Sequence, residues 1–418
     1  MEKLSVVAVR EAGAGRYELC VNSYVGVVAL DHVRLTLYPK FGLTGEQLMG
    51  WLRHADGQRP RQAPMRRGWQ AGQAGVTDLM AAAMVDAAKQ MIRQGLRRDY
   101  RPHDKLETVL RGRLDVRQQA TRRYGMVDRL HVRTFDRHLD IWENQVCHEG
   151  LRACRRLASD PALAREAAQL AEHFPPHPHG ARGAVTALRH ATYHRMNQTY
   201  QEAHTWARHI LGGNQLNDLL RDEGVTAGSL LIDMDTVWER LIQRVAAEAA
   251  ALMGGGVQPV RGEYELRVSG DGVPSRALTP DVLIRYGSPE RLLPVDAKYK
   301  IPSIKAISRD DLYQLLTYAA AYADRDRPQA VAVQPTMTGW NRRSVRVTGP
   351  RGLLGEVSVV GVDISRPPEE WSAPLRDLLV NLLELDTCLP SGSPTGSGTT
   401  SIVARSRPGE KPLPRHDR

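Results

Sequence analysis

At 418 residues with a formal net charge of +10, the chain is long enough for two or three cores and basic enough to favour polyanions as partners. Hydrophobic residues at 42% and charged residues at 25% are the proportions of a globular protein and exclude a disordered or fibrous chain. Four cysteines, at 20, 147, 154 and 388, form no Cys-x-x-Cys pair, which excludes a zinc ribbon or a disulfide scaffold and fits a reducing cytoplasm. No stretch of about 20 apolar residues occurs, and nothing near the N-terminus joins a basic head to a long apolar run. A soluble, cytoplasmic protein with no membrane partner is expected.

The first 40 residues alternate short β-rich runs (5–9, 17–21, 25–30 and 33–38) with turns, which predicts a small β-barrel or sandwich. The Gly-rich turn at 12–15 lacks the spacing of a phosphate loop. A short helix at 44–52 precedes a Gly, Pro and Arg-rich segment at 57–75, expected to be a solvated loop despite its Arg59, Arg61, Arg66 and Arg67. The apolar stripe of Leu79, Met84, Ala87, Ala88 and Met91 predicts a helix over 76–95 that Gly95 stops. Residues 107–116 read as a strand broken at Gly112. Two helices are expected within 136–173, separated at Ser159-Asp160-Pro161, where Asp caps and Pro suits a first turn. Cys147 and Cys154 then share one face, as core residues.

The run His173-Phe-Pro-Pro-His177-Pro-His179 has the look of a metal loop, but its prolines hold it extended and no fourth ligand is evident. Residues 193–211 predict a helix ended by Gly212-Gly213, with His194, His204 and His209 on a mixed surface. A long amphipathic helix at 233–253 buries Trp238, Leu241, Ile242, Val245 and Leu252, with Glu239 beside that stripe. Strands follow at 263–268, 330–334, 343–347 and 357–362, and a helix at 369–385 closes the ordered chain. From 389 on, Pro, Gly, Ser, Thr and Arg dominate without apolar periodicity, which predicts disorder.

The chemistry lies in 279–300. Val282, Ile284 and Tyr286 alternate with Asp281, Leu283 and Arg285, and Val295, Ala297 and Tyr299 alternate with Asp296 and Lys298, so two strands are expected with a turn at 287–290. Asp296 and Lys298 share a face and the hairpin brings Asp281 alongside. Two carboxylates and an ammonium converging in this way are costly unless a hard divalent cation such as Mg²⁺ neutralises the acids. Downstream, a helix at 310–322 buries Leu312, Leu315, Leu316 and Ala319 and sets Gln314 and Tyr318, four apart, on another face.

Pro-Asp at 280–281 followed by Asp-Ala-Lys at 296–298 resembles the Pro-Asp…(Asp/Glu)-x-Lys nuclease core, and Gln314 with Tyr318 resembles the Gln-x-x-x-Tyr element of RecB-like nucleases. Further stretches extend the likeness over some 300 residues: Leu35-Thr-Leu-Tyr-Pro-Lys-Phe-Gly, Leu110-Arg-Gly-Arg-Leu-Asp-Val, Asn197-Gln-Thr-Tyr-Gln with Ala207-Arg-His-Ile-Leu, and Asp233-Met-Asp-Thr-Val-Trp-Glu-Arg. Together they resemble the McrC family, the nuclease subunit of McrBC-type restriction systems. The chain departs from that pattern at Asn144-Gln-Val-Cys and in its tail.

The resemblance implies a multi-domain α/β protein: a β-rich N-terminal domain over 1–130 that docks a motor, a helical linker region over 131–225, a restriction-endonuclease-like αβ core over 226–387, and a disordered tail over 388–418. It further implies a Mg²⁺-dependent DNA endonuclease, with Mn²⁺ as a substitute, that cleaves modified-cytosine DNA with a McrB-like AAA+ GTPase hexamer and stimulates its NTPase. Asp281, Asp296, Lys298, Gln314 and Tyr318 would be the catalytic set, and Glu239, Asp281, Asp296 and the Ala297 carbonyl would hold the metal. The chain itself has no Gly-x-x-x-x-Gly-Lys-Ser/Thr, so nucleotide hydrolysis falls to the partner. Two other readings remain: a standalone RecB-like repair exonuclease, and a non-catalytic regulator of the motor.

Overall fold

The computed structural model describes residues 7–11, 17–21, 23–29, 34–57, 75–220, 230–271, 273–288, 290–300, 307–350 and 352–384. Met1–Leu378 forms one compact unit and Leu379–Arg418 a second, of which only the end of a helix is described. The turn at 12–15, most of the basic loop at 57–75 and the tail from 389 therefore lie outside the described residues. No described helix is long and apolar enough to cross a membrane.

The early strands form where the alternation predicts them, as β1 (Val7–Glu11), β2 (Tyr17–Val21), β3 (Tyr24–Ala29) and β4 (Arg34–Leu37). Among the described residues they do not close into one barrel or sandwich: β1 pairs only with β2, and β3 and β4 belong to another sheet. Thr44 opens α1 (Gly45–Ala55) with a reciprocal capping box to Gln47. Helix α2 (Val76–Gln94) ends at Gly95, as its apolar stripe and stop residue predict.

An arm follows, made of β5 (Asp99–Glu107), β6 (Arg113–Leu114), α3 (Val116–Arg122) and β7 (Leu130–His138), with strand order β5-β7-β6. The expected strand over 107–116 is thus replaced by a turn between two strands. Gly112, at φ +89°, lies so close to β7 that a Cβ there would meet the Arg133 carbonyl oxygen at 2.4 Å, a conformation and an approach that only glycine allows.

The middle is a helical layer of α4 (Trp142–Leu157), α5 (Pro161–Ala171), α6 (Gly180–Arg189) and α7 (Gln201–Leu220). Asp160 caps α5 through the Ala162 N–H, with Pro161 in the first turn, and Cys147 and Cys154 are fully buried. Helix α7 starts later than the apolar pattern suggested. The buried Asn197 amide accepts from the His194 N–H and donates to the Thr192 carbonyl, holding the preceding residues in a turn. Nor does the helix stop at Gly212-Gly213, since glycine costs a helix interior only about 1 kcal/mol. His204, expected at the surface, is fully buried.

After β8 (Leu230–Asp233) and α8 (Met234–Leu252) come β9 (Gly256–Val257), β10 (Leu266–Gly270), β11 (Val273–Leu278), β12 (Val282–Tyr286), β13 (Arg291–Ala297), α9 (Arg309–Tyr322), β14 (Gln329–Thr336), β15 (Asn341–Gly349), β16 (Gly352–Asp363) and α10 (Ser372–Glu384). Leu252 is exposed, one turn beyond the buried stripe of α8, and the strand expected at 263–268 begins only at Leu266. Strand β8 pairs with β3, giving the order β4-β3-β8, so residues on either side of 225 share a sheet. The large sheet runs β15-β16-β14-β13-β12-β9.

Its centre is parallel, β13 with β14 and β14 with β16, and α9 is the crossover that a parallel pair requires. Leu315 and Ala319 of α9 pack on Ala330, Ala332, Val357 and Val359. Trp51 of α1, Trp238 of α8, Trp371 and Tyr299 form a buried aromatic cluster, with Trp51 5.4 Å from Trp238 and Trp371 5.9 Å from Trp238.

Candidate active site

The antiparallel register pairs Val282 with Val295, and continuing it by one step sets Asp281 opposite Asp296. Directly opposed residues share a face. In the parallel ladder Asp296 lies beside Ala332, and Ala332 packs under α9. Asp296 therefore points to the α9 side of the sheet, and Lys298, two residues on, follows it. The strand alternation seen in the sequence is what creates this meeting.

The contacts are short and continuous. Lys298 Nζ lies 2.6 Å from Asp296 Oδ2 and donates to Gln314 Oε1 at 2.9 Å. The Gln314 amide in turn donates to the Tyr318 hydroxyl at 3.0 Å, and that hydroxyl donates to the Thr279 carbonyl at 2.8 Å. Helix α9 thus fixes both the ammonium and the chain just before Asp281. Asp281 Oδ2 accepts from the Ala297 N–H at 2.6 Å. Ala297 thus meets Asp281 through its amide.

Glu239 stands one step away. Gln243 Nε2 donates to Glu239 Oε1 at 3.0 Å and to the Asp281 carbonyl at 3.2 Å. Glu239 thus approaches Asp281 by way of Gln243. The three carboxylates do not form a group whose ligand atoms all lie within 4.8 Å of one another; among the described residues the one such group is elsewhere.

Asp311 was not legible as a member of the site. It sits in the first turn of α9, receives the Ser308 cap, lies 3.7 Å from Lys298 Nζ and pairs with Lys300 at 2.7 Å. The Ser-x-x-Asp spacing at 308–311 was the available signal, and it marks a helix start rather than a site.

Burial pushes the Asp281 carboxyl up to about 7, with Asp296 and then Glu239 adding repulsion against the opposing pull of the Ala297 N–H and Lys298. Asp296 is also raised, by burial, although Lys298 opposes the shift. Burial would lower the Lys298 ammonium, but Asp296, Asp311 and Asp281 outweigh it and raise it. Lys298 therefore remains a cation at neutral pH. The carboxylates of buried Asp296 and half-buried Asp281 offer only oxygen donors and favour a positive charge beyond that of Lys298, and so they fit a hard divalent cation.

A mixed α/β fold with acids and a lysine gathered at the end of a central parallel sheet defines the class. Residues 19–328 match the McrBC 5-methylcytosine restriction system component family, and the chain belongs to that family. Comparison with curated proteins gives no match. Among solved structures, a chain of the refined half-complex from the tetradecameric assembly of Thermococcus gammatolerans McrB AAA+ hexamers with bound McrC is similar at 17% identity. Its TM-score is 0.61, and the likeness covers 90% of this chain and 86% of that one. A chain of the Thermococcus gammatolerans McrBC complex is similar at 17% identity and a TM-score of 0.43, covering 56% of this chain and 68% of that one.

Proposed function

We propose that this chain is the DNA-cleaving, McrC-like subunit of an McrBC-type restriction system. It is a Mg²⁺-dependent endodeoxyribonuclease with a Pro-Asp…(Asp/Glu)-x-Lys core, acting on modified-cytosine DNA with a GTP-driven McrB-like AAA+ hexamer. The observation that carries the reading is the convergence of Asp281, Asp296 and Lys298, with Lys298 held between Asp296 and Gln314. A structural salt bridge alone would not need a second, half-buried acid beside it.

Asp281, Asp296 and the Ala297 carbonyl would hold the cation, with Glu239 nearby. When bound, that cation supplies polarisation of the scissile phosphate and a lowered pKa for the attacking water. Lys298 would orient or deprotonate that water and offset the charge that builds on the phosphoryl oxygens. Gln314 and Tyr318 position Lys298 and the start of β12.

The motor contact is assigned to the arm. Val109, Leu110, Tyr124 and Val127 are exposed there, Tyr124 at 86% and Val127 at 82%, and Arg111, Arg113 and Arg117 stand among them on the same exposed segment. Large apolar side chains displayed beside arginines mark an interaction site rather than ordinary surface.

The test is cleavage of methylated DNA by the purified full chain with its neighbouring AAA+ protein, Mg²⁺ and GTP. Cleavage is expected for the parent and lost in Asp296→Asn. Cutting from DNA ends without motor or nucleotide would favour the repair exonuclease, and stimulation of the motor without any cleavage would favour the regulator.

A further inference from the structure

Separate from the acidic site, one face of the arm gathers two imidazoles and a carboxylate. In the antiparallel register of β5 and β7, His103 lies opposite Thr134, Arg101 opposite Asp136 and Asp99 opposite His138. Asp136 and His138 are two apart on β7, and His103 is diagonal to Asp136, so all three side chains rise from the same face. The two histidines lean towards each other along it. Their Nε2 atoms stand 2.6 Å apart and their ring centroids 4.5 Å apart.

A carboxylate oxygen of Asp136 completes a triangle in which every ligand atom lies within 4.8 Å of the other two, and all three residues are half-buried. Lys105 pairs with Asp136 Oδ2 at 2.6 Å and steadies that carboxylate from the opposite strand.

Two Nε2 atoms aimed at one point can share a single proton, which satisfies one lone pair through the other nitrogen's N–H. A cation between them would engage both lone pairs and the carboxylate together. Two imidazole nitrogens and one oxygen suit a borderline divalent transition metal such as Zn²⁺, Co²⁺ or Ni²⁺ rather than Mg²⁺. Metal–nitrogen bonds of about 2.0–2.1 Å in tetrahedral geometry place the nitrogens roughly 3.4 Å apart. The present pair would open by less than about 1 Å, within the reach of half-exposed side chains.

We propose that His103, Asp136 and His138 form a divalent transition-metal site that ties β5 to β7 across the arm, with water as the fourth ligand. The donor set and location both differ from those of the oxygen site at Asp281 and Asp296. A tied strand pair holds the arm's exposed end in one orientation.

Co²⁺ titration of the metal-stripped full chain in excess Mg²⁺ tests this through the visible d–d absorption of the bound ion. One Co²⁺ per chain is expected, displaced by Zn²⁺, and still present when Asp281 and Asp296 are both changed to Asn. His103→Ala and His138→Ala should each abolish the absorption, and Asp136→Asn should weaken binding at least about tenfold. Far-UV circular dichroism of each variant checks that the half-exposed substitutions leave the fold intact. Co²⁺ uptake by a folded His103→Ala/His138→Ala double variant equal to that of the parent, or no retention by the parent at stoichiometric concentration, would overturn the proposal.

Discussion

Asp281, half-buried, and Asp296, buried, carry like charge into one space, where Lys298 pairs with Asp296 at 2.6 Å and Asp281 has only the Ala297 N–H. Asp281→Asn or Asp296→Asn keeps the side-chain shape and removes one negative charge, so the fold should persist while Mg²⁺-dependent cleavage falls by at least about 10²-fold. Parent-like single-turnover rates in either variant would remove that residue from the cation site. Lys298→Ala should slow cleavage by roughly 10² with DNA affinity little changed, as expected for a group acting in the transition state. Loss of affinity at unchanged rate would make Lys298 a phosphate-binding residue instead. Away from the site, burial holds the His204 imidazole neutral down to about 4, its hydrogen bond to the Glu143 carbonyl notwithstanding. The unfolded chain protonates this group near 6.5, so as pH falls from about 6.5 to about 4 the unfolded state gains protons that the folded state refuses. Stability should therefore drop over that window by about 3 kcal/mol. His204→Gln, compared with the parent by urea denaturation at several pH values, should flatten that slope; an equal slope would show that other groups set it. At this scale the meeting of Asp281, Asp296 and Lys298 was legible from strand alternation and the hairpin, and helix periodicity set Gln314 beside Tyr318, but only the resemblance to RecB-like nucleases brought that pair to the lysine. Asp311 and Gln243 were not, because their roles depend on how α9 and α8 seat on the sheet.

The arm shows why some elements escape a reading of pattern. Strand β5 is Asp-Tyr-Arg-Pro-His-Asp-Lys-Leu-Glu, largely exposed on both faces, so it carries no apolar alternation to announce it. Cross-strand ion pairs occupy it instead, Arg133 to Asp104 at 2.8 Å and Lys105 to Asp136 at 2.6 Å, and each such exposed pair contributes little. Pro102 is tolerated because β5 is an edge strand. Helix α2, by contrast, was readable from its apolar stripe and its Gly95 stop, and the break between α4 and α5 from Asp160 and Pro161, although the helical region expected from 136 begins as the end of β7 and α4 starts only at Trp142. The fold of the arm depends on close backbone approach at Gly112. Gly112→Ala would drive a methyl group into the Arg133 carbonyl and strain a φ of +89°, so β6 should separate from β7 while the large sheet is untouched. On the docking proposal, this variant should lose stimulation of the AAA+ partner's NTPase and co-elution with it, although its near-ultraviolet spectrum stays close to the parent's. Full stimulation would move the motor contact off the arm.

Across the whole molecule, long-range pairing joins segments that local patterns in the sequence divide. The expectation of a boundary near 225 arose because a helical run gives way there to a new helix and a set of strands, and local signals cannot report that β8 returns to β3 some 200 positions earlier. Gly26 permits that return: at φ +136°, a Cβ would lie 2.0 Å from the Leu230 carbonyl oxygen. The aromatic cluster strengthens the link, since Trp51 of α1 packs on Trp238 of α8, and the Trp238 indole N–H donates to the Val333 carbonyl at 3.1 Å. That same carbonyl accepts the Lys298 N–H at 2.8 Å, so the cluster also fixes the backbone that carries Lys298. Trp238→Ala should cost about 3–5 kcal/mol through the cavity and the lost hydrogen bond. Trp238→Phe should cost less, because it refills much of that space. If β3–β8 pairing and this cluster bind the two halves into one cooperative unit, thermal unfolding followed at tryptophans and by far-UV circular dichroism should give a single coincident transition that shifts down as a whole in both variants. Gly26→Ala should shift it similarly, although it touches no residue of the candidate site. Two separated transitions, with only the later residues destabilised by Trp238→Ala, would show that the halves unfold independently and that docking and cleavage are coupled by the partner alone.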